Sequence, residues 1–532
     1  MALFGKTLSA AGALVVAAAA LGAQTPAKAP ACDISDALKG NTARASLSFD
    51  LARQASPGPV AVAKLKESVK ALESADKGED PIARSYVLGE ALSLWLNQPG
   101  VGATPRRGDV GFATNPDAPI DLVGAVDSLF RVVETAKPNC GDFTSYYRGG
   151  QKFYLDLANN AINALNAEKL DSAEIYATQA NRLYPGSPYG VMVLGSVAAK
   201  RKNDAQAVKF WSQAATVAEK DSTYRDVRRQ MLANVGSVYL NNAQAATAPA
   251  DKVAAARKAA DVYRDLLAVP GTKGSYAYGG RQNYQSALLL AGDTAAFVKS
   301  YEPLIATPSE YEYQDLLNSA VNAARTNRNA DAAKLFDATL AQNPYNRDAL
   351  FNQGVVLLAL GQNDKVSPIV TRLVAVDPGN PENYNLGARA YLELGKAAQT
   401  AKKTAVAAAY NDSTLTWYNR GNKLPVEITF NEFSPSDKQL VMAGTVVDRR
   451  DKIDAPESAT RPVKGKAGVK PAGASKLPPK AVTLKFEALD KSGAVIGTQT
   501  VITEPLSPGK SAKFSVTVPA ANAVAYRYTI VD

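Results

Sequence analysis

The sequence predicts a mainly α protein, a right-handed helical solenoid of short repeats, followed by a small all-β sandwich. Three observations predict it. Small, aromatic and proline residues recur with a 34-residue step. From Ile34 to about Ala409 the chain is rich in alanine and its apolar residues keep a helical period. After Leu424 the texture changes to the polar–apolar alternation of strands, with Gly421 and Pro425 marking the change.

The chain has 532 residues, which suits several domains better than one. Lys6 is followed by an apolar run from Ala10 to Ala20 and by the small residues Gly22 and Ala23. This reads as a signal peptide over residues 1–23, with a periplasmic or secreted destination. An uncleaved N-terminal anchor is the other reading, although the run is shorter than the roughly 20 apolar residues of a spanning helix. Residues 24–33 form a Pro/Ala linker. A helical region of degenerate repeats covers 34–140, the clearer repeats cover 141–420, and the β domain covers 421–532.

The repeat is most legible around two segments. Ala173, Ala177 and Ala180 are followed one period later by Ala207, Trp211 and Ala214. Ala332, Phe336, Thr339 and Pro344 are followed in the same way by Val366, Val370, Leu373 and Pro378. Turn phrases around Pro185, Pro344 and Pro378 agree with that step. The pattern resembles the tetratricopeptide-repeat (TPR) family. Gly195 and Gly354 match its small eighth position, and Ala173, Ala207 and Ala332 its twentieth. Trp211 and Phe336 match its aromatic twenty-fourth position. Seven or eight repeats are expected, the last opening at Pro381–Gly395 and closing at Ala397–Ala409.

The resemblance implies a groove lined by the second, fifth, ninth and twelfth positions of each first helix. Those residues are Tyr189, Met192, Ser196 and Ala199 in one repeat, and Gln314, Leu317, Val321 and Ala324 in another. Asp348, Phe351, Val355 and Leu358 follow, then Glu382, Asn385, Arg389 and Leu392. The implied role is protein–protein interaction, with a protein or peptide partner on a mixed apolar and polar floor. A groove filled by the chain itself is the competing expectation. The tyrosines from Tyr276 to Tyr313 have two readings, packing between repeats first and a recognition surface second.

The β domain shows alternation at Val426–Phe430, Leu440–Val447 and Val482–Leu489, and a hairpin turn at Asp490–Gly493. Six or seven strands are expected. Gly444–Val447, Phe486–Asp490 and Leu506–Gly509 make it similar to the FxLYD-type immunoglobulin-like sandwich of bacterial envelope proteins. A flexible loop is expected at 451–480, where Lys464, Lys466, Lys470, Lys476 and Lys480 leave the second half purely basic.

Composition excludes much chemistry. The chain has no histidine, so no triad, Cys–His dyad or HExxH site can form. Two cysteines, Cys32 and Cys140, are too few for a structural zinc site and are expected to pair as a disulfide after export. The net charge of +10 is spread along the chain rather than gathered in one patch, which does not suit nucleic acid. No cofactor or metal is expected. A carboxylate-based hydrolase and a surface-binding role for the basic loop stand as alternatives to a non-enzymatic scaffold.

Overall fold

The computed structural model describes residues 33–74, 78–149, 152–453 and 477–531. The expected signal peptide, Cys32 and residues 454–476 of the basic loop lie outside the described residues. The chain divides into two compact units, one up to Thr272 and one from Lys273 onward.

The first unit is a series of helical hairpins. α1 (Gly40–Gln54) pairs with α2 (Pro59–Glu73). α3 (Pro81–Trp95) pairs with α5 (Leu122–Ala136), across a long connection that holds the one-turn α4 (Arg107–Val110). After α6 (Gly141–Gly149) come α7 (Lys152–Asn166) with α8 (Leu170–Leu183) and α9 (Tyr189–Lys200) with α10 (Asp204–Glu219). α11 (Arg225–Ala245) with α12 (Pro249–Ala268) closes the unit.

Local chemistry explains these hairpins. Asp80 and Asp121 cap α3 and α5 by accepting from Ile82 N (2.8 Å) and Gly124 N (2.9 Å). The turns inside α7–α8 and α9–α10 place Glu168 and Lys202 in the left-handed region, one repeat period apart. Close approach of the paired helices needs glycine. A Cβ at Gly195 would collide with the Trp211 indole, and one at Gly236 would lie 2.8 Å from the Tyr263 ring. The small eighth position and the aromatic near the twenty-fourth are thus one packing contact, in the clear repeat and in a degenerate one.

Two buried polar centres belong to this unit. Arg148, 2% exposed, reaches Asp127 (3.1 Å), Glu134 (3.0 Å) and the Leu183 carbonyl (3.1 Å). Glu90 is buried beside Tyr86 and Tyr147, and burial pushes its carboxyl up to about 8. Cys140 is fully buried at the end of a 3₁₀ turn, Pro138–Cys140.

The second unit opens with α13 (Ser275–Leu290) and α14 (Thr294–Ala306). α15 (Tyr313–Arg325) with α16 (Asn329–Gln342), α17 (Arg347–Ala359) with α18 (Val366–Val376), and α19 (Pro381–Thr400) with α20 (Thr404–Asn422) follow. α15, α17 and α19 begin 34 residues apart. The described residues hold nine hairpins in all, against the seven or eight expected.

The last hairpin differs from its expected bounds. Gly361 ends the α17 hairpin arm in a left-handed turn, but the glycine one period later, Gly395, lies inside α19. Good helix formers from Lys396 to Gln399 carry the helix on, and the turn falls at Lys402 instead. A Cβ on Gly395 would sit 2.9 Å from Asn411 Oδ1 of α20, so this glycine serves close packing rather than a turn.

Among the described residues six strands follow: β1 (Val426–Pro435), β2 (Gln439–Asp448), β3 (Thr483–Leu489), β4 (Val495–Ile502), β5 (Ser511–Pro519) and β6 (Ala525–Val531). The one-turn α21 (Arg450–Ile453) starts the segment expected as a loop. The strands form two antiparallel three-stranded sheets, β1-β2-β5 and β4-β3-β6. Ile428, Leu440, Met442, Leu484, Phe486, Phe514 and Tyr528 fill the space between them.

This small domain is seated on the inter-repeat turns of its own unit. The Tyr528 hydroxyl donates to the buried Asp377 (2.6 Å) and accepts from Gly379 N (2.9 Å). Burial first, and the Asp377 carboxylate second, hold the Tyr528 phenol far above its usual range. Ile428 N donates to Gly379 O (2.9 Å), and Asn343 Nδ2 to Val524 O (2.9 Å). The Arg347 guanidinium stands 5.3 Å from the centre of the Phe430 ring. The turns at Asn343–Arg347 and Asp377–Asn380 therefore connect repeats and carry the β domain.

Candidate functional site

The expected groove residues fall into two groups. In the first unit, Met192 and Ser196 are each 2% exposed. Met192 lies in the apolar cluster that includes Ala161, Ile162, Met231 and Val235. Ser196 Oγ donates to Met192 O (3.1 Å) and accepts from Trp211 Nε1 (3.4 Å). These two residues are core and line no open groove. Tyr189 is half-buried, edge-on to Tyr224 with ring centres 5.7 Å apart. The physical reason is that α9 is apolar all round: every residue from Gly190 to Ala198 is buried.

In the second unit the same repeat positions stay accessible. Gln314, Leu317, Val321 and Ala324 on α15 are half-buried, as are Phe351, Val355 and Leu358 on α17. Asp348, Glu382 and Arg389 are exposed, Asn385 is half-buried, and Leu392 is 40% exposed. Each set spans a helix at three- and four-residue steps and so shares one face. The 34-residue step then aligns the sets in rows: Gln314, Asp348 and Glu382; Leu317, Phe351 and Asn385; Val321, Val355 and Arg389; Ala324, Leu358 and Leu392. The face is apolar on α15 and α17 and becomes polar on α19.

Buried polar contacts fix these helices from behind. Gln285 of α13 donates to Ser319 (2.9 Å) and accepts from Asn322 (3.0 Å). Arg281 meets Asp315 at 2.9 Å, while burial holds the Asp315 carboxyl above its usual range against that cation's pull. Gln353 of α17 donates to Asp337 of α16 (2.6 Å). Asn346 caps α17 through Ala349 N (2.9 Å), and Asn380 caps α19 through Glu382 N (3.1 Å). The face is held in shape by its back side, not by its own residues.

Charges on the face are few. Asp348 pairs with the neighbouring Arg347 (2.7 Å), and Glu382 accepts from Asn385 (3.2 Å). Arg389 is the one cation among the four rows. The tyrosines expected as packing residues include Tyr301, buried with its hydroxyl on Asp331 (2.9 Å), and Tyr313, buried against the β domain.

A cleft in the β domain is lined by Pro425, Val426, Asp448, Arg450, Lys480 and Val482. Its single lining carboxylate, Asp448, is held by Arg450 at 2.6 Å, so the cleft contains no carboxylate pair of the kind a glycosidase needs. Among the described residues no helix is long and apolar enough to cross a membrane.

No protein-family model matches the chain, and no curated protein matches it in sequence. Among solved structures it is similar to a tetratricopeptide repeat protein from Parabacteroides merdae ATCC 43184. That match has 14% identity and a TM-score of 0.29, over 49% of this chain and 98% of that one. It is also similar to the assembly chaperone of RpL4 (Acl4), residues 1–338, at 15% identity and a TM-score of 0.27, over 47% of this chain and 99% of that one. A third likeness is to pilF of Pseudomonas aeruginosa, at 12% identity and a TM-score of 0.21, over 50% of this chain and 92% of that one. The fold assignment rests on the helix pairing and the repeat step, not on these scores.

Proposed function

We propose that this protein is an exported, non-enzymatic TPR scaffold of the bacterial cell envelope, and that it holds a protein segment on the face of α15, α17 and α19. One observation carries the reading. Leu317, Phe351, Val321 and Val355 are apolar, accessible and aligned by the repeat step, whereas the matching α9 positions are core. The segment that fits presents apolar side chains to Leu317, Phe351, Val355 and Leu358, and a basic residue to Asp348 and Glu382. Aromatic anchors of this kind carry a large share of binding energy. Phe351→Ala should leave the melting temperature close to wild type and weaken partner binding by about 1 kcal/mol or more. Early melting with unchanged affinity of the refolded fraction would make Phe351 a core residue and remove the groove.

Export is the second part of the proposal. Cys140 is buried, and no described cysteine is a free thiol. We propose that Cys32 and Cys140 pair after cleavage near Ala23. The loop closed in this way would stabilise the fold by up to about 4.7 kcal/mol in the chain-entropy model. Thiol labelling of the oxidised protein tests it, since two reactive thiols would exclude the bond. The FxLYD-type assignment of the β domain belongs to the same reading; six strands and two sheets are compatible with it.

A further inference from the structure

The two sheets have four edge strands, and they differ. β1 and β6 lie on the side that meets the repeat turns, through Ile428 and Tyr528. β5 carries the exposed Lys513 and ends at Pro519, two features that discourage a further strand. β4, Val495–Ile502, has neither a charge nor a proline, and all its residues except Gly497 and Val501 are exposed. Ile502 is 66% exposed. Among the described residues β4 hydrogen-bonds only to β3, while the end of β5 packs against Gly497, where a Cβ would lie 2.5 Å from Pro519 O.

The ladder fixes which backbone groups of β4 are open. Thr503 N donates to Val482 O, so the odd-numbered residues of this stretch face β3. The N–H and C=O groups of Thr498, Thr500 and Ile502 therefore point to the open edge. An edge of this kind is completed by an added strand. The sequence itself is near-palindromic about Gln499. Antiparallel pairing with an identical strand sets Thr498 against Thr500 and Ile496 against Ile502, and it matches open residues with open residues. The nearest charges on that face, Lys485 and Glu487 of β3 and Arg527 of β6, form one cluster in which Glu487 meets Arg527 (2.5 Å) and Lys485 (3.3 Å), which leaves a single net positive charge one strand away from the edge.

We infer that β4 is a self-association edge, which joins two copies of this chain through an antiparallel β4–β4 pair with its two-fold axis at Gln499. In that register the two Gln499 residues form a pair without mutual hydrogen bonds, where Cα atoms approach within disulfide range. The full-length protein should sediment as a concentration-dependent dimer. Gln499→Cys should give a covalent dimer on oxidation, and Thr498→Cys, displaced from the axis, should not. Thr500→Pro removes an outward donor without touching the β3 ladder, so it should weaken self-association roughly tenfold or more at an unchanged melting temperature. A monomer at every concentration, with no Gln499→Cys cross-link, overturns the inference and leaves the edge to a foreign strand. Equal cross-linking of both cysteine variants, or a dimer untouched by Thr500→Pro, overturns it as well.

Discussion

α9 and α17 occupy the same place in the repeat and end in different surroundings. Both open a hairpin, and both carry a glycine at the eighth position, Gly195 and Gly354. Yet α9 buries every residue from Gly190 to Ala198, while α17 leaves Phe351, Val355 and Leu358 accessible. The repeat register decides which direction a residue faces. Whether that face is open depends on what else is apolar nearby. α9 reads Val-Met-Val-Leu without a polar break, so both of its sides are buried. α17 alternates Asn352, Gln353 and Gly354 with its apolar residues and buries one side only.

The comparison can be broken most severely in the first unit. Arg148→Ala would remove the buried cation of this centre, leaving Asp127 to the more exposed Arg131 (2.9 Å) and Arg182 (3.9 Å), and Glu134 to the Thr144 hydroxyl. Loss of one member of such a centre costs about 3–5 kcal/mol. Calorimetry should show a large downward shift of the transition that involves the first unit, and a shift below about 1 kcal/mol would mean that water already serves those carboxylates.

A direct contrast comes next. Met192→Ala should cost roughly 2–5 kcal/mol, as truncation of a buried methionine does. Phe351→Ala, on the accessible face, should cost about 1 kcal/mol, within the range of ordinary point changes. Denaturant midpoints decide it, and equal losses would erase the distinction between the closed and the open helix.

A third substitution tests the seat of the β domain. Tyr528→Phe takes from the buried Asp377 carboxylate its closest donor, leaving Asn380 Nδ2 at 3.4 Å, and takes from the Gly379 amide its acceptor, at roughly 1–3 kcal/mol. Limited proteolysis should then release the β domain earlier than in the wild type. Unchanged digestion would show that Ile428 and Asn343 hold the seat without the phenol.

A pH effect stands apart from these substitutions. The Glu90 carboxyl is raised to about 8 by burial, so the folded state keeps a proton that the unfolded state loses near its ordinary carboxylate pKa of about 4.3. The stability tied to this proton is complete below that value. It falls by up to roughly 1.4 kcal/mol per pH unit as pH rises toward about 8, and then levels off. Glu90→Gln should flatten the decline between those limits. Parallel wild-type and variant profiles would mean that Glu90 is not the group that titrates.

Much of the architecture was legible because it is local. The step from Ala173 to Ala207, the Gly195–Trp211 contact and the change of texture at Pro425 are written within a few turns of chain. The closure of α9 does not follow from the family pattern, which fixes only the direction each position faces; it follows from the unbroken apolar run from Val191 to Leu194. The seat of the β domain was not legible at all. Asp377 sits in a phrase that reads as an ordinary inter-repeat turn, and its partner Tyr528 is 151 residues away. The same holds for β4, whose exposure depends on which strands the fold places beside it. α1 and α2 were expected only as part of a loosely repetitive stretch, since neither carries the small and aromatic positions that mark the clearer repeats.

The displaced turn of the last hairpin has an evolutionary consequence. Moving the turn from where Gly395 would have put it to Lys402 adds seven residues, or close to two helical turns, to the first arm. Seven residues nearly restore the angular phase of a helix, so the added segment keeps the same side toward its partner and needs no twist in the array. A lineage of such proteins can therefore lengthen or shorten an arm in steps of two turns, about 10 Å each, without disturbing the seams on either side. Insertions of three or five residues would rotate the apolar stripe away from α20. Length variation among descendants of this hairpin should thus come in sevens.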